Sequence, residues 1–188
     1  MKQQTKRRLK ISAVAVTAAG AVVVAVALML ILPHRTVPVL MYHGFTEDES
    51  ATSTLVIALD DFERQMTYLA NNHFNIINAS ELADYLANGK ELPPKTIVLT
   101  FDDGYKSFFD LAYPVLQKHG FPATAYLFID GLAKADDLGR AKGMSAKGLV
   151  EIGSHGVTHR MLPLLDPEEI TWELVSSKQQ LEAEFGVP

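Results

Sequence analysis

Thr96-Ile97-Val98-Leu99-Thr100-Phe101-Asp102-Asp103-Gly104 is an apolar run that ends in two carboxylates and a glycine. Pro93-Pro94 marks a turn just before it, so residues 96–101 read as a buried strand. Toward the N-terminus, Val37 to Tyr42 reads as another buried strand, with Pro38 tolerable near its start. Residues 44–54 are polar and acidic, a loop. Asp60 and Glu63 have the spacing of a capping box, opening a helix whose apolar face is Phe62, Met66 and Leu69. Phe74 to Ile77 is a short strand, and Ser80 caps a helix ending at Gly89. Toward the C-terminus, Tyr105 to His119 is helical, with Gly120 as its stop. Ala123 to Ile129 is a strand, residues 131–142 a polar loop, Ser145 the start of a short helix, and Glu151 to Ser154 a short strand. Asp166-Pro167-Glu168-Glu169 combines a cap, a first-turn proline and acids at the positive helix end, so a helix runs from there to Phe185, stopped by Gly186.

Strands alternating with helices predict a parallel α/β architecture. In such folds chemistry gathers at the C-terminal ends of strands. His43 follows the first predicted strand, Asp102 and Asp103 the third, and His155 the fifth. Five strands, however, do not close a barrel.

The acids and histidines each have an ordinary reading. Asp-Gly is a common turn pair, and a histidine pair often does nothing. Together they have a sharper one. Ser154-His155-Gly156-Val157-Thr158-His159 places two imidazoles four residues apart, on one face of a helical turn or within a loop leading into a helix. Two imidazoles and a carboxylate suit zinc, cobalt, nickel or manganese. Three protein ligands with a position left for water describe a catalytic zinc site. The paired acids then divide labour, one holding the cation while its neighbour takes a proton from water. His43 either joins that chemistry or simply hydrogen-bonds its loop. Tyr42, Tyr105 and Phe45 flank the expected cleft and could meet a sugar face. His34, His73 and His119 sit at a linker and at helix ends, and Trp172 on an amphipathic helix, where packing explains them.

Of the 188 residues 48% are apolar, but much of that content is concentrated in Ile11 to Leu32, 22 residues without a charge. As a helix this block is about 33 Å long, enough to cross a bilayer core. Lys2, Lys6, Arg7, Arg8 and Lys10 precede it, with no acid in the first ten positions. That bias keeps residues 1–10 cytoplasmic and makes 11–32 a transmembrane signal anchor, with 33–188 extracellular or periplasmic. Ala25-Val26-Ala27 also resembles a signal-peptide cleavage site, but the apolar run continues past it to Leu32. Setting the five basic residues of the tail aside leaves 12 basic against 22 acidic side chains. Such a surface excludes nucleic acid and other polyanions as natural partners, and accepts a neutral substrate more readily. The chain has no cysteine, hence no disulfide framework and no thiol chemistry.

Thr100-Phe101-Asp102-Asp103-Gly104-Tyr105 and Ser154-His155-Gly156-Val157-Thr158-His159 resemble the first two motifs of the polysaccharide deacetylases, carbohydrate esterase family four, and the similarity runs from Val37 to the end of the chain. Pro38-Val39-Leu40-Met41-Tyr42-His43 is most similar to the branch that acts on poly-β-1,6-N-acetylglucosamine of biofilm matrix. The resemblance implies a distorted (β/α) barrel and metal-dependent hydrolysis of N-acetyl groups on N-acetylglucosamine polymers. It implies Asp102 as general base, Asp103, His155 and His159 as metal ligands, and His43 as general acid. It also implies a third, arginine- or tyrosine-proline-rich motif on a further strand, which residues up to Pro188 do not contain. The expectation is therefore an incomplete barrel, weakly stable and poorly active by itself. A membrane-anchored glycan-binding pseudoenzyme, or a deacetylase of peptidoglycan or xylan, are the competing readings.

Overall fold

The computed structural model describes residues 36–132 and 137–186. The basic tail 1–10 and the apolar block 11–32 lie outside them; among the described residues no helix is long and apolar enough to cross a membrane.

The run that opened the sequence is the centre of the fold. Strand β5 (Thr96–Asp102) is buried along its whole length. Both its edges are paired, all in parallel: β1 (Val39–Tyr42) lies along it through the register Val39 with Val98 to Tyr42 with Phe101. β4 (Asn75–Ile77) pairs with its first half, and β6 (Ala123–Leu127) with Thr100 to Asp102. β7 (Val150–Ser154) pairs with β6 over five residues, from Ala123 with Val150 to Leu127 with Ser154. Among the described residues the sheet stays open between β1 and β7. This open parallel sheet has the α/β architecture expected, and the described residues do not close it into a barrel.

Alternation along β5 separates two environments. Ile97, Leu99 and Phe101 join the main core with Phe62, Met66 and Leu69 of helix α1 (Leu59–Asn71). Tyr42, Phe45, Phe62, Phe101 and Phe108 form an aromatic cluster there, with Phe101 and Phe108 centroids 4.7 Å apart. Thr96, Val98, Thr100 and Asp102 have the opposite parity and are also buried, so the polar end of the strand is directed away from the aromatic side.

The remaining helices are α2 (Ala79–Ala87), α3 (Tyr113–His119), α4 (Ile129–Leu132), α5 (Asp137–Ala146) and α6 (Pro167–Phe185). A π-helical turn, Phe108–Ala112, leads into α3. Pro114 supplies a physical reason: it lacks an N–H and its ring crowds the carbonyl four residues back, so the chain widens there. α6 starts at the expected cap, which is in fact a full capping box: Asp166 accepts from Glu169 N–H at 2.8 Å, and the helix ends at Gly186 with φ +68°.

Several expectations are corrected. The 44–54 loop begins with strand β2 (Gly44–Thr46), which pairs in parallel with β3 (Val56–Ala58). Buried Phe45 anchors it, but three residues are too short for a periodic signal. α1 starts at Leu59 with Ala58 at its cap, so Asp60 and Asp61 sit in the first turn and favour the positive helix end instead of closing a capping box. α2 is capped by Asn78, whose side chain accepts from Glu81 N–H at 2.9 Å; Ser80 is the second residue of the helix. The strand expected to reach Ile129 stops at Leu127, and Ile129 begins α4. Residues 137–142 of the expected polar loop belong to α5 because Ala141 and Met144, three apart, are buried together; Ser145 stands near the end of that helix, not its start.

Candidate metal centre

Three of the expected residues meet. One oxygen of Asp103 lies 3.1 Å from His155 Nε2 and 2.8 Å from His159 Nε2. The ligand atoms of all three lie within 4.8 Å of one another. Asp103 comes from the end of β5, His155 from the end of β7, and His159 from the loop that follows, which is not helical.

The backbone is bent to make this possible. Asp103 and Gly104 have φ of +71° and +70°, two consecutive left-handed residues that turn the chain out of the strand. Asp103 N–H donates to Tyr126 O at 3.1 Å, which fixes the turn against β6. At Gly104 a Cβ would crowd a Leu127 methyl at 2.9 Å, and any side chain would add strain at this left-handed φ, so glycine suits the turn. His159 is also left-handed, φ +61°. A non-glycine residue in this region costs energy and persists only where its surroundings hold it.

The side chains show what the arrangement suits. One carboxylate oxygen in each of Asp102 and Asp103 is buried with no hydrogen-bond partner. The imidazole nitrogens stand close to Asp103 without hydrogen-bonding to it, so the three groups converge on a common point. Leaving carboxylate oxygens buried and unpaired is costly, and a divalent cation removes that cost. Two imidazoles and a carboxylate are a donor set for zinc and its neighbours. The side chain of Asp103 is 12% exposed, His155 34% and His159 45%, so the centre is open on its histidine side. An open side is what a reacting site needs and a structural metal site lacks.

Asp102 lies beneath this opening, 9% exposed. Burial pushes its carboxyl above the usual range; His155, His43 and His159 pull it down, while Asp103 adds to the rise. His43, half-buried between β1 and β2, is therefore within electrostatic reach of Asp102. Tyr105 follows the turn with its ring 41% exposed, beside Gly44. Tyr42 is placed differently: its ring stacks on Phe101 at 5.4 Å and its hydroxyl donates to Gln65 Oε1 at 2.7 Å, with burial raising its pKa to about 12. Both ends of Tyr42 serve packing.

Two neighbours of the centre were not foreseen. Phe128 stacks on the His159 ring at 5.0 Å. Glu173 of α6 is 1% exposed, yet its carboxylate reaches the loop between the histidines. Glu173, Ser177 and Leu181 fall four residues apart and form the buried stripe of α6. Two of the three members of that stripe are polar, so its spacing does not mark an inward face in the sequence.

Residues 89–188 match the family model described as Polysaccharide deacetylase. YxkH of Bacillus subtilis (strain 168) is 31% identical over 150 residues, 79% of this chain and 52% of that protein. The chain thus spans about half the length of that relative. A poly-beta-1,6-N-acetyl-D-glucosamine N-deacetylase of Escherichia coli (strain K12) is 33% identical over 93 residues, 49% of this chain and 14% of its own. Among solved structures, the Streptococcus pyogenes deacetylase PplD in complex with acetate aligns with a TM-score of 0.72 at 26% identity, covering 80% of this chain and 70% of that one. BC0361, a polysaccharide deacetylase from Bacillus cereus, aligns at 0.68 and 32% identity, covering 81% of this chain and 48% of that one.

Proposed function

Because the chain belongs to the polysaccharide deacetylase family, we propose that it hydrolyses N-acetyl groups of an N-acetylglucosamine-containing polysaccharide, using a divalent cation. The observation that carries this reading is the convergence of Asp103, His155 and His159 beside a buried second carboxylate. Those three residues would hold the cation, zinc first, with cobalt, nickel or manganese as substitutes. Bound there, it supplies Lewis acidity toward the acetyl carbonyl and makes water more acidic.

The chain's own residues do the rest. Asp102, anchored at the end of β5, takes the proton from the attacking water. Burial raises the proton affinity of its carboxyl, which favours taking up that proton. His43, within electrostatic reach of Asp102, donates a proton to the departing sugar amine. Tyr105 offers an exposed ring to the sugar beside the reacting group. Acetate and a glucosamine unit are the products.

Biofilm poly-N-acetylglucosamine is the favoured polymer. Its support is the Pro38–His43 opening and the Escherichia coli relative named for that substrate. The apolar block 11–32 and its basic flank support action at the outer face of a membrane, with the block as the anchor. Acetate release is the direct test, measured on β-1,6-linked N-acetylglucosamine oligomers, peptidoglycan and acetylated xylan, with and without added zinc. Zinc-dependent release from the first polymer is expected. Glycan binding without release from any of the three would establish a pseudoenzyme instead.

A further inference from the structure

Glu173 is a carboxylate in the core, and burying such a group is costly unless it is fully hydrogen-bonded. Both its oxygens are engaged, and every partner lies within residues 157–160, the loop between the two histidines and the residue just past the second. Val157 N–H and Thr158 N–H donate to Oε2 at 2.6 and 3.0 Å. The Thr158 hydroxyl donates to Oε1, and Arg160 Nε donates to the same oxygen at 3.4 Å. Successive amides aimed at one oxygen make a small anion-binding nest, here filled by a side chain of the same protein.

The loop is built around that carboxylate. Gly156 has φ +87°, and a Cβ there would stand 3.0 Å from Glu173 Oε2. On the loop's other side His155 N–H donates to Leu127 O at 2.9 Å, while Gly156 O and Val157 O accept from Ile129 and Asp130 N–H at 3.2 and 3.0 Å. The segment 155–158 is therefore held between β6–α4 and α6. His159, the next residue, carries its left-handed strain immediately beyond the last of these bonds.

We infer that Glu173 is a positioning residue for the metal centre: from α6 it clamps the loop between His155 and His159 and so fixes the approach of both imidazoles to Asp103. Glu173 contacts neither imidazole and takes no part in the chemistry. The inference rests on the metal reading given above, and the two fail differently.

The test is metal affinity in the full-length chain, by zinc titration and by the visible absorption of bound cobalt, alongside thermal unfolding of the metal-free protein. Glu173→Gln keeps the shape and removes the charge, so it should bind zinc about 10–100-fold more weakly, the usual penalty for losing a partner that orients ligands. Thr158→Val removes one donor from the same clamp and should weaken binding less. In the double variant the two effects should fall short of their product, because both act through one contact. Thr171→Ala, on the exposed face of α6, should leave affinity unchanged. Wild-type affinity and an unaltered cobalt spectrum in Glu173→Gln would overturn the inference, as would independent, multiplicative losses in the double variant. A wild-type chain that binds neither ion would sink the metal reading, and this inference with it.

Discussion

Asp102 and Asp103 are neighbours in sequence with opposite surroundings, and the difference comes from one backbone step. Asp102 is the last residue of β5 and keeps the strand's alternation, buried with Val98 and Thr100. Asp103 is turned out by its left-handed φ and faces the histidines. Their substitutions should separate accordingly. Asp103→Ala should lose zinc binding in a titration. Asp102→Asn should keep it while acetate release falls about 10²–10⁴-fold, the range for removing a general base. Equal loss of zinc in both variants would overturn the division. Glu173 gives a prediction of another kind. Burial raises its pKa, but the hydrogen bonds from Thr158, Val157 and Arg160 more than offset this and hold it below the usual carboxylate range. A folded-state pKa below the unfolded value means that the ionised group stabilises the fold. That contribution is present above about pH 4.3 and is lost as pH falls through the depressed value. Urea midpoints of Glu173→Gln measured from about pH 6 to pH 3 should therefore show a shallower acid decline than wild type. An identical decline would mean the carboxylate is not ionised in the fold. The candidate ligands were legible because acids at one strand end coincide with a histidine pair at another, although either alone has an ordinary reading. Glu173 was not, because in sequence it is one more acid in a helix that begins with three, and only the packing of α6 shows that it faces inward.

At the scale of elements, what could be read depended on length and on local chemistry. β5 was legible because seven consecutive buried residues leave no alternative. α6 was legible because Asp166, Pro167 and Glu169 each specify a helix start independently. Asp166→Ala removes the acceptor for Glu169 N–H and should cost about 1 kcal/mol of stability, read as a lower urea midpoint with unchanged slope. No loss would mean that α6 is held by its packing alone. β2 and β3 were not legible: they are three residues each, and only the partner strand gives either a reason to be extended. α5 was hidden by Gly139 and Gly143, which lower helix propensity, while tertiary burial of Ala141 and Met144 overrode it. Tyr42 shows the same limit at a strand end. Its position beside His43 suggested the cleft, but the parity of β1 turns its ring toward Phe62 and Phe101.

For the described residues as a whole, a cation at the candidate centre would also be a fastening. Its ligands come from two strand ends and a loop, separated by more than fifty residues of chain, and they meet above an open parallel sheet. The unfolded chain cannot hold three such groups in one place, so a cation that binds the native centre stabilises it by mass action. At a free zinc concentration about a hundredfold above the dissociation constant, the gain is about 2.7 kcal/mol. For a domain of this size that corresponds to a rise of about 5–10 °C in the thermal midpoint. Chelation with EDTA should return the midpoint to its metal-free value, and Asp103→Ala should show no rise at any zinc concentration. Asp102→Asn should still respond, since Asp102 is not among the ligands. If wild type and Asp103→Ala rise together, zinc is binding elsewhere, and the meeting of β5 and β7 at Asp103, His155 and His159 does not contribute to the stability of the fold through a cation.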